Sequence, residues 1–316
     1  MSAARHVTLA VPETADGVRL DRFLGGVREL GSRSQAKQLV ERGCVRVEGV
    51  VRKPGHVLRT GMRVDVEVPA SEPSTLEPEA LPLTVLYEDA ELLVIDKPPG
   101  MVVHPAPGSR RGTVAAAVLH RLGQLVGVGD PERPGIVHRL DKNTSGVLVV
   151  ARSPGALAAL ARQFHDREVH KRYVAVVHGR VRADRGLIDQ PIGRHPHERK
   201  RMSVHSRRGR AAVTRFVVRE RLTGATVLDL FPETGRTHQL RVHLAALGHP
   251  VVGDPVYGAR RTGRAGTPPG ACCPRQALHA AEIRFRHPTR GEDIVVRAPL
   301  PPDIVALIAE FRGKTP

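Results

Sequence analysis

Apolar positions recur with two different periods along the chain, and the changes of period divide it. Val7-Thr8-Leu9-Ala10-Val11 alternates as a strand does. Leu20, Phe23 and Leu24 return at helical spacing. Ser32-Arg33-Ser34-Gln35 then offers an N-cap before a second helix through Ala36, Leu39 and Val40, which Gly43 stops. Val45-Arg46-Val47 and Val64 to Val68 alternate again, with the basic stretch Arg52-Lys53-Pro54-Gly55 between them. These segments form one small unit, residues 1–70. Residues 71–83 are rich in Pro, Ser and Glu and read as a linker, whose acidity would keep it off a polyanion. A second, larger unit covers 84–316.

In that unit Val85-Leu86-Tyr87 and Leu92 to Ile95 predict strands, Val114 to Leu122 a helix, and the unbroken apolar run Val147 to Ala151 a buried strand. Leu157 to Phe164 suits a helix and Tyr173 to Val177 a strand. Ala211 to Leu222 and Ala225 to Phe231 alternate on either side of Thr223-Gly224, so they predict a hairpin. Thr237 to Leu247 suits a helix with Leu240, Leu244 and Leu247 on one face and Gly248 as its stop. Ile283 to Arg286 and Ile294 to Val296 predict a last hairpin, and Pro302 to Phe311 an amphipathic helix. Many strands with few helices indicate an α+β fold around a mixed, mainly antiparallel sheet. Arg260 to Gly270, rich in Gly, Pro and Arg, reads as an exposed loop.

Charge changes the picture. Lys and Arg number 49 against 32 Asp and Glu, a formal +17, which points to a polyanionic partner. Aromatic residues make up 3% of the chain and there is no Trp, so base stacking on rings can be only a minor binding device. No basic amphipathic helix and no apolar run of membrane-spanning length stands out, which argues against a membrane. The N-terminus lacks the apolar core of a signal peptide. The three cysteines, Cys44, Cys272 and Cys273, support neither a disulfide framework nor a zinc site, so the cytoplasm is the expected compartment.

Three segments carry candidate chemistry. In Gly135 to Val150, Asp141 stands in a polar loop of Lys, Asn, Thr, Ser and Gly between two apolar stretches. Taken alone, it reads equally as a turn residue capping backbone N–H groups. In Glu233 to His243, the pattern puts Arg241 one turn into a helix with His238 on the same side, three residues earlier. Arg241 would pair in bidentate fashion with a carboxylate delivered from elsewhere. His238 and His243 are five apart and lack the spacing of a helical zinc pair, so no metal is expected. Val169 to Gly179 carries Tyr173, one of only three tyrosines, for which a plain core role is the alternative. Arg194 to Arg210 is dense in base and reads as a loop or hairpin over a substrate.

Together these residues resemble the RluA-type family of pseudouridine synthases. His138-Arg139-Leu140-Asp141 with Thr144-Ser145-Gly146 matches the family's nucleophile motif. Lys171, Tyr173 and Ala175 match its Lys-x-Tyr-x-Ala strand, and Thr234 to His243 its Thr-Gly-Arg-Thr-His-Gln-x-Arg-Val-His stretch. Asp96 to Gly100, Val103 to Pro105, Gly253 to Gly258 and Gln276 to Ala280 agree further. The likeness runs in order through nearly all of the chain past residue 84. Gly17 to Arg22 and Ser32 to Lys37 resemble the RNA-binding module first seen in ribosomal protein S-four. With that module the chain looks most like the RluD-like members, which act on large-subunit ribosomal RNA.

The resemblance implies isomerisation of specific uridines in structured RNA by base flipping. Asp141 would be the nucleophile, Arg241 its partner, and Tyr173 a surface against the uracil that could also help remove the carbon-five proton. Arg139 would fill the space the uridine leaves. RNA contacts would come from Arg22, Arg33, Lys37, Arg199, Lys200, Arg236 and His238. An isomerisation needs no cofactor, and nothing demands more than a monomer. A binding protein without activity, or a nucleoside hydrolase releasing free uracil, are the other readings. The intact Asp141, Tyr173 and Arg241 set argues against the first.

Overall fold

The computed structural model describes residues 5–27, 30, 33–68, 76–106, 109–123, 125, 127–196, 198, 201–206, 208–258 and 273–313. The expected N-cap at Ser32, the Arg260–Gly270 loop, Cys272, Arg199 and Lys200 lie outside these residues, as does the side chain of Arg33.

The N-terminal part contains β1 (Arg5–Ala10), α1 (Leu20–Leu24), α2 (Arg33–Glu41), β2 (Val45–Val47), β3 (Val50–Val51) and β4 (Arg63–Val68). Its strands form a sheet in the order β1-β4-β2-β3. Alternation along β4 buries Val64 and Val66 while Arg63 and Glu67 face out, the period-two signature of a half-buried strand. Leu20, Leu24, Ala36 and Val40 from the helices close a separate core on this face.

The rest is built on a nine-stranded sheet. The first half of this unit comprises β5 (Thr84–Glu88), β6 (Leu92–Lys97), α3 (Val114–Leu122), a separate two-stranded ribbon of β7 (Gly129–Asp130) and β8 (Arg133–Pro134), β9 (Ser145–Ala151) and α4 (Pro154–Asp166). The second half comprises β10 (His170–His178), β11 (Arg185–Asp189), β12 (Gly193–Arg194), β13 (Met202–Ser203), β14 (Val213–Leu222), β15 (Ala225–Pro232), α5 (Gln239–Ala246), β16 (Leu278–Arg286), β17 (Asp293–Arg297) and α6 (Pro302–Gly313). Strand order is β11-β14-β15-β10-β16-β9-β6-β5, with β17 also on β16. The expected hairpins β14–β15 and β16–β17 form, and the fold is α+β.

One pairing is parallel. His279 and Ala280 of β16 lie beside Ser145 and Gly146 of β9. Only glycine fits at 146: its φ is +113°, and a Cβ there would stand 2.2 Å from the Ala280 carbonyl oxygen. This close approach joins the two halves of the sheet just after the Asp141 loop.

Ahead of β5, Leu76 packs on Ala115, Ala116 and Leu119 of α3, and the Glu79 carboxylate accepts from the Gly112 N–H. Part of the acidic segment is thus docked on the larger unit. The helix expected from Thr237 begins later. His238 has left-handed backbone (φ 56°, ψ 19°), so the regular helix starts at Gln239. Leu247, expected on its buried face, is 40% exposed.

Candidate active site

The loop carrying Asp141 is held through its backbone. The Asp141 carbonyl accepts from the Thr144 N–H (3.0 Å) and the Lys142 carbonyl from the Gly100 N–H (2.9 Å). Lys97, with no exposed surface, donates through Nζ to the carbonyls of Pro98 (2.8 Å), Met101 (2.9 Å) and Lys142 (3.1 Å). Three acceptors take all three N–H bonds of an ammonium. Burial, with Arg275 nearby, pushes its pKa down to about 7, against the pull of Asp141 and Asp96. From the other side Arg275 donates to the Asn143 carbonyl (3.0 Å) and to Ser145 Oγ (3.2 Å). Every carbonyl from 141 to 143 therefore has a donor, and the loop is a fixed support.

Arg241 reaches this loop from α5. Its Nη1 donates to Asp141 Oδ2 at 3.0 Å. The bidentate partner is a different residue: Nε and Nη2 donate to Asp254 Oδ2 and Oδ1 at 2.7 and 2.9 Å. The expected bidentate pairing with a carboxylate delivered from elsewhere is thus made with Asp254, while Asp141 receives one bond. Asp254 was not anticipated. It is fully buried at its side chain, and its Oδ1 also accepts the N–H groups of Val256 and Tyr257. Burial would raise its pKa, but Arg241 and those amides hold it below the ordinary carboxylate value. Burial likewise opposes the Arg241 charge, and the two carboxylates more than offset it. Asp141 keeps 19% of its side chain accessible, so solvent reaches the carboxylate, while Arg241, at 5%, lies behind it.

Tyr173 on β10 stands near enough for Asp141 to act on it. Burial first, then the carboxylate, raise the phenol pKa, so it rests protonated. That weighs against Tyr173 as a resting base. His238 lies within the influence of Asp141, Arg241, Asp254 and Arg139. The structure thus gathers Asp141, Tyr173, Arg241, His238 and Arg139. It does not bring Arg236 to the carboxylates: its Nε donates to the Ala211 carbonyl at 3.1 Å. Arg22 and Lys37 are exposed on the N-terminal part, Lys37 beside Glu41 at 3.4 Å. Arg194 pairs with Met202 in the small β12–β13 ribbon, as expected of a hairpin there.

The remaining residues of the Thr234–His243 segment are structural. Gln239 donates to the Val213 carbonyl and Thr214 Oγ1, both at 3.0 Å, and accepts from Thr234 Oγ1 at 2.7 Å. His243 sits between Thr214 Oγ1 (2.9 Å) and the Gln190 carbonyl (3.0 Å). Among the described residues no group of three or more His, Cys, Asp or Glu side chains gathers as a metal set. No helix among them is long and apolar enough to cross a membrane.

The RNA pseudouridylate synthase family model matches residues 91–246, and the S4 domain model residues 18–64. The chain is 41% identical over 307 residues to "Uncharacterized RNA pseudouridine synthase YlyB" of Bacillus subtilis, covering 97% of this chain and 98% of that one. It is 43% identical over 311 residues to "Ribosomal large subunit pseudouridine synthase D" of Xanthomonas campestris, covering 96% and 91%. Among solved structures it resembles "Human RNA Pseudouridylate Synthase Domain Containing 1" at 32% identity and TM-score 0.57, over 76% of this chain and 91% of that one.

Proposed function

This chain belongs to the RNA pseudouridylate synthase family, with an S4 domain ahead of the synthase domain, and from that premise we propose that Asp141 isomerises specific uridines of large-subunit ribosomal RNA. The observation that carries the reading is the Asp141–Arg241 contact, with Arg241 itself clamped by buried Asp254. It supplies an oriented carboxylate with solvent access.

In the isomerisation the bond from ribose C1′ to uracil N1 breaks, the ring turns, and C1′ joins C5. The C5 proton is lost and N1 gains one, so atoms and electrons balance without a co-reactant. Asp141 acts at the sugar or base as nucleophile. Arg241 holds it in place, and Tyr173 forms the wall against the uracil. Arg139, exposed two residues before Asp141, occupies the stack the uridine leaves. Arg22, Arg33, Lys37, Arg199, Lys200, Arg236 and His238 contact RNA. The working units are the S4-like domain at 1–70, the linker at 71–83 and the synthase domain at 84–316. The enzyme acts in the cytoplasm, as a monomer, on the ribosomal RNA or its assembling particle.

Asp141→Asn tests this. Isomerisation is expected to fall below detection, with the dissociation constant for RNA within about threefold of the parent. A map of modified uridines in cells lacking the gene should lose sites in large-subunit RNA. A variant that keeps its rate sinks the nucleophile assignment, and lost sites confined to transfer RNA sink the target.

A further inference from the structure

Beside the carboxylates lies a hydrogen-bond relay that the chemistry above leaves unused. Tyr257, 9% exposed, follows directly from the turn capped by Asp254. Its phenol oxygen accepts the Met202 N–H at 2.9 Å and lies 3.0 Å from His238 Nδ1. The Met202 N–H takes one acceptor position of the oxygen, and placing the phenol's own proton toward His238 Nδ1 gives that O–H its acceptor. Nδ1 is then the acceptor, and the ring proton resides on Nε2. Burial, helped by Arg241 and Arg139, lowers the His238 pKa against the pull of Asp141 and Asp254, which keeps the ring neutral. Among the described residues the Nε2 side has no hydrogen-bond partner, and the residue is half-buried.

The backbone supports the same conclusion. His238 is one of three non-glycine residues at positive φ among those described, at a cost of about 1 kcal/mol. Strain of this kind concentrates at working sites. Here it holds back the start of the helix to Gln239 and sets the ring edge-on to Tyr257, centroids 5.8 Å apart. Tyr257 in turn packs its ring face under Arg241, whose Cζ is 5.1 Å from the centroid. One phenol therefore fixes both the arginine beside Asp141 and the tautomer of His238.

We propose that His238 presents a neutral Nε2–H donor to a carbonyl oxygen of the flipped uracil, and that Tyr257 is the positioning residue that holds it in that form. As the C1′–N1 bond breaks, the electron pair leaves with uracil and negative charge grows on its carbonyl oxygens. A fixed donor there is worth more in the transition state than in the ground state. The proposal rests on Asp141 acting as nucleophile, and narrows His238 from a general RNA contact to a catalytic donor.

The test uses single-turnover kinetics on an RNA carrying a mapped target uridine, and the same RNA with 2-thio- or 4-thiouridine there. Sulfur is the weaker acceptor. His238→Ala is expected to slow isomerisation about 100-fold with RNA affinity within about threefold, and His238→Gln, which keeps an N–H, to recover part of that loss. Tyr257→Phe should slow it about tenfold. In the wild-type protein the nitrogen-15 shifts of His238 should show the Nε2–H tautomer, and in Tyr257→Phe a mixture. One of the two thio substrates should slow the wild type and leave His238→Ala unaffected. Wild-type rates in His238→Ala, or equal slowing of both proteins by both thio substrates, overturn the proposal. Failure of the nucleophile reading shows separately, as activity in Asp141→Asn.

Discussion

Arg241 distributes its donors unequally. Two nitrogens go to Asp254 and one to Asp141, so the partner invisible in the sequence makes the stronger hold. The helical position of Arg241 implied a carboxylate, but nothing local named Asp254. The Gly253–Gly258 stretch showed only as family likeness, and its partner lies 13 residues away around a turn. Asp254→Asn should leave Arg241 buried with one weak clamp. We expect kcat to fall about 100-fold while RNA affinity changes less than threefold, and stability to drop by about 3 kcal/mol. A variant with parental kcat would show that Asp141 alone orients the guanidinium. His238 shows a different limit. Periodicity read it as helical because its neighbours are, and a single left-handed residue leaves no trace in apolar spacing.

The elements legible in the sequence were those with enough residues to show a period. The helix Val114–Leu122 and the hairpin β14–β15 match their expected spans closely. Two-residue strands such as β3, β7 and β8 cannot display alternation. The parallel β9–β16 contact was equally hidden, because pairing across the chain is set by packing. One consequence concerns α6. Arg275, 4% exposed, donates to both oxygens of Asp303 at the start of that helix (2.7 and 3.0 Å) and to Asn143 and Ser145 in the Asp141 loop. The C-terminal helix is therefore tied to the site without touching it. Arg275→Lys keeps the charge but loses the planar fork. It should lower kcat about tenfold with little change in KM, and lower the melting temperature. An unchanged kcat in a destabilised variant would reduce this link to a purely structural one.

At the scale of the whole molecule, charge and protonation set the response to conditions. With +17 overall, RNA affinity should fall steeply with salt. Replacing Arg22 or Lys37 by Ala should flatten the log–log slope by about 0.7–0.9 each if they meet phosphates; an unaltered slope removes them from the interface. Acid acts through buried histidines. His138 accepts the Val149 N–H on Nε2 and burial, with Lys171, takes it down to about 3. Burial takes His279, between Ser145 and the Ala298 carbonyl, to about 4. Between pH 6.5 and 4 the unfolded chain binds protons that the folded chain refuses, so stability falls as pH falls through that window. Melting temperature recorded from pH 7 to 4 should decline steadily; a flat profile down to pH 5 contradicts it.

The parallel seam at Gly146 also orders events during synthesis. Ser145 leaves the ribosome 134 residues before His279, the strand residue it must meet. Until then the Ser145–Gly146 end of β9 lacks its strand neighbour, the kind of edge that invites misassembly in a nascent chain. The loop ahead of it also waits for Arg275 to anchor it. The support of the Asp141 loop is therefore complete only once residues 275–280 have emerged.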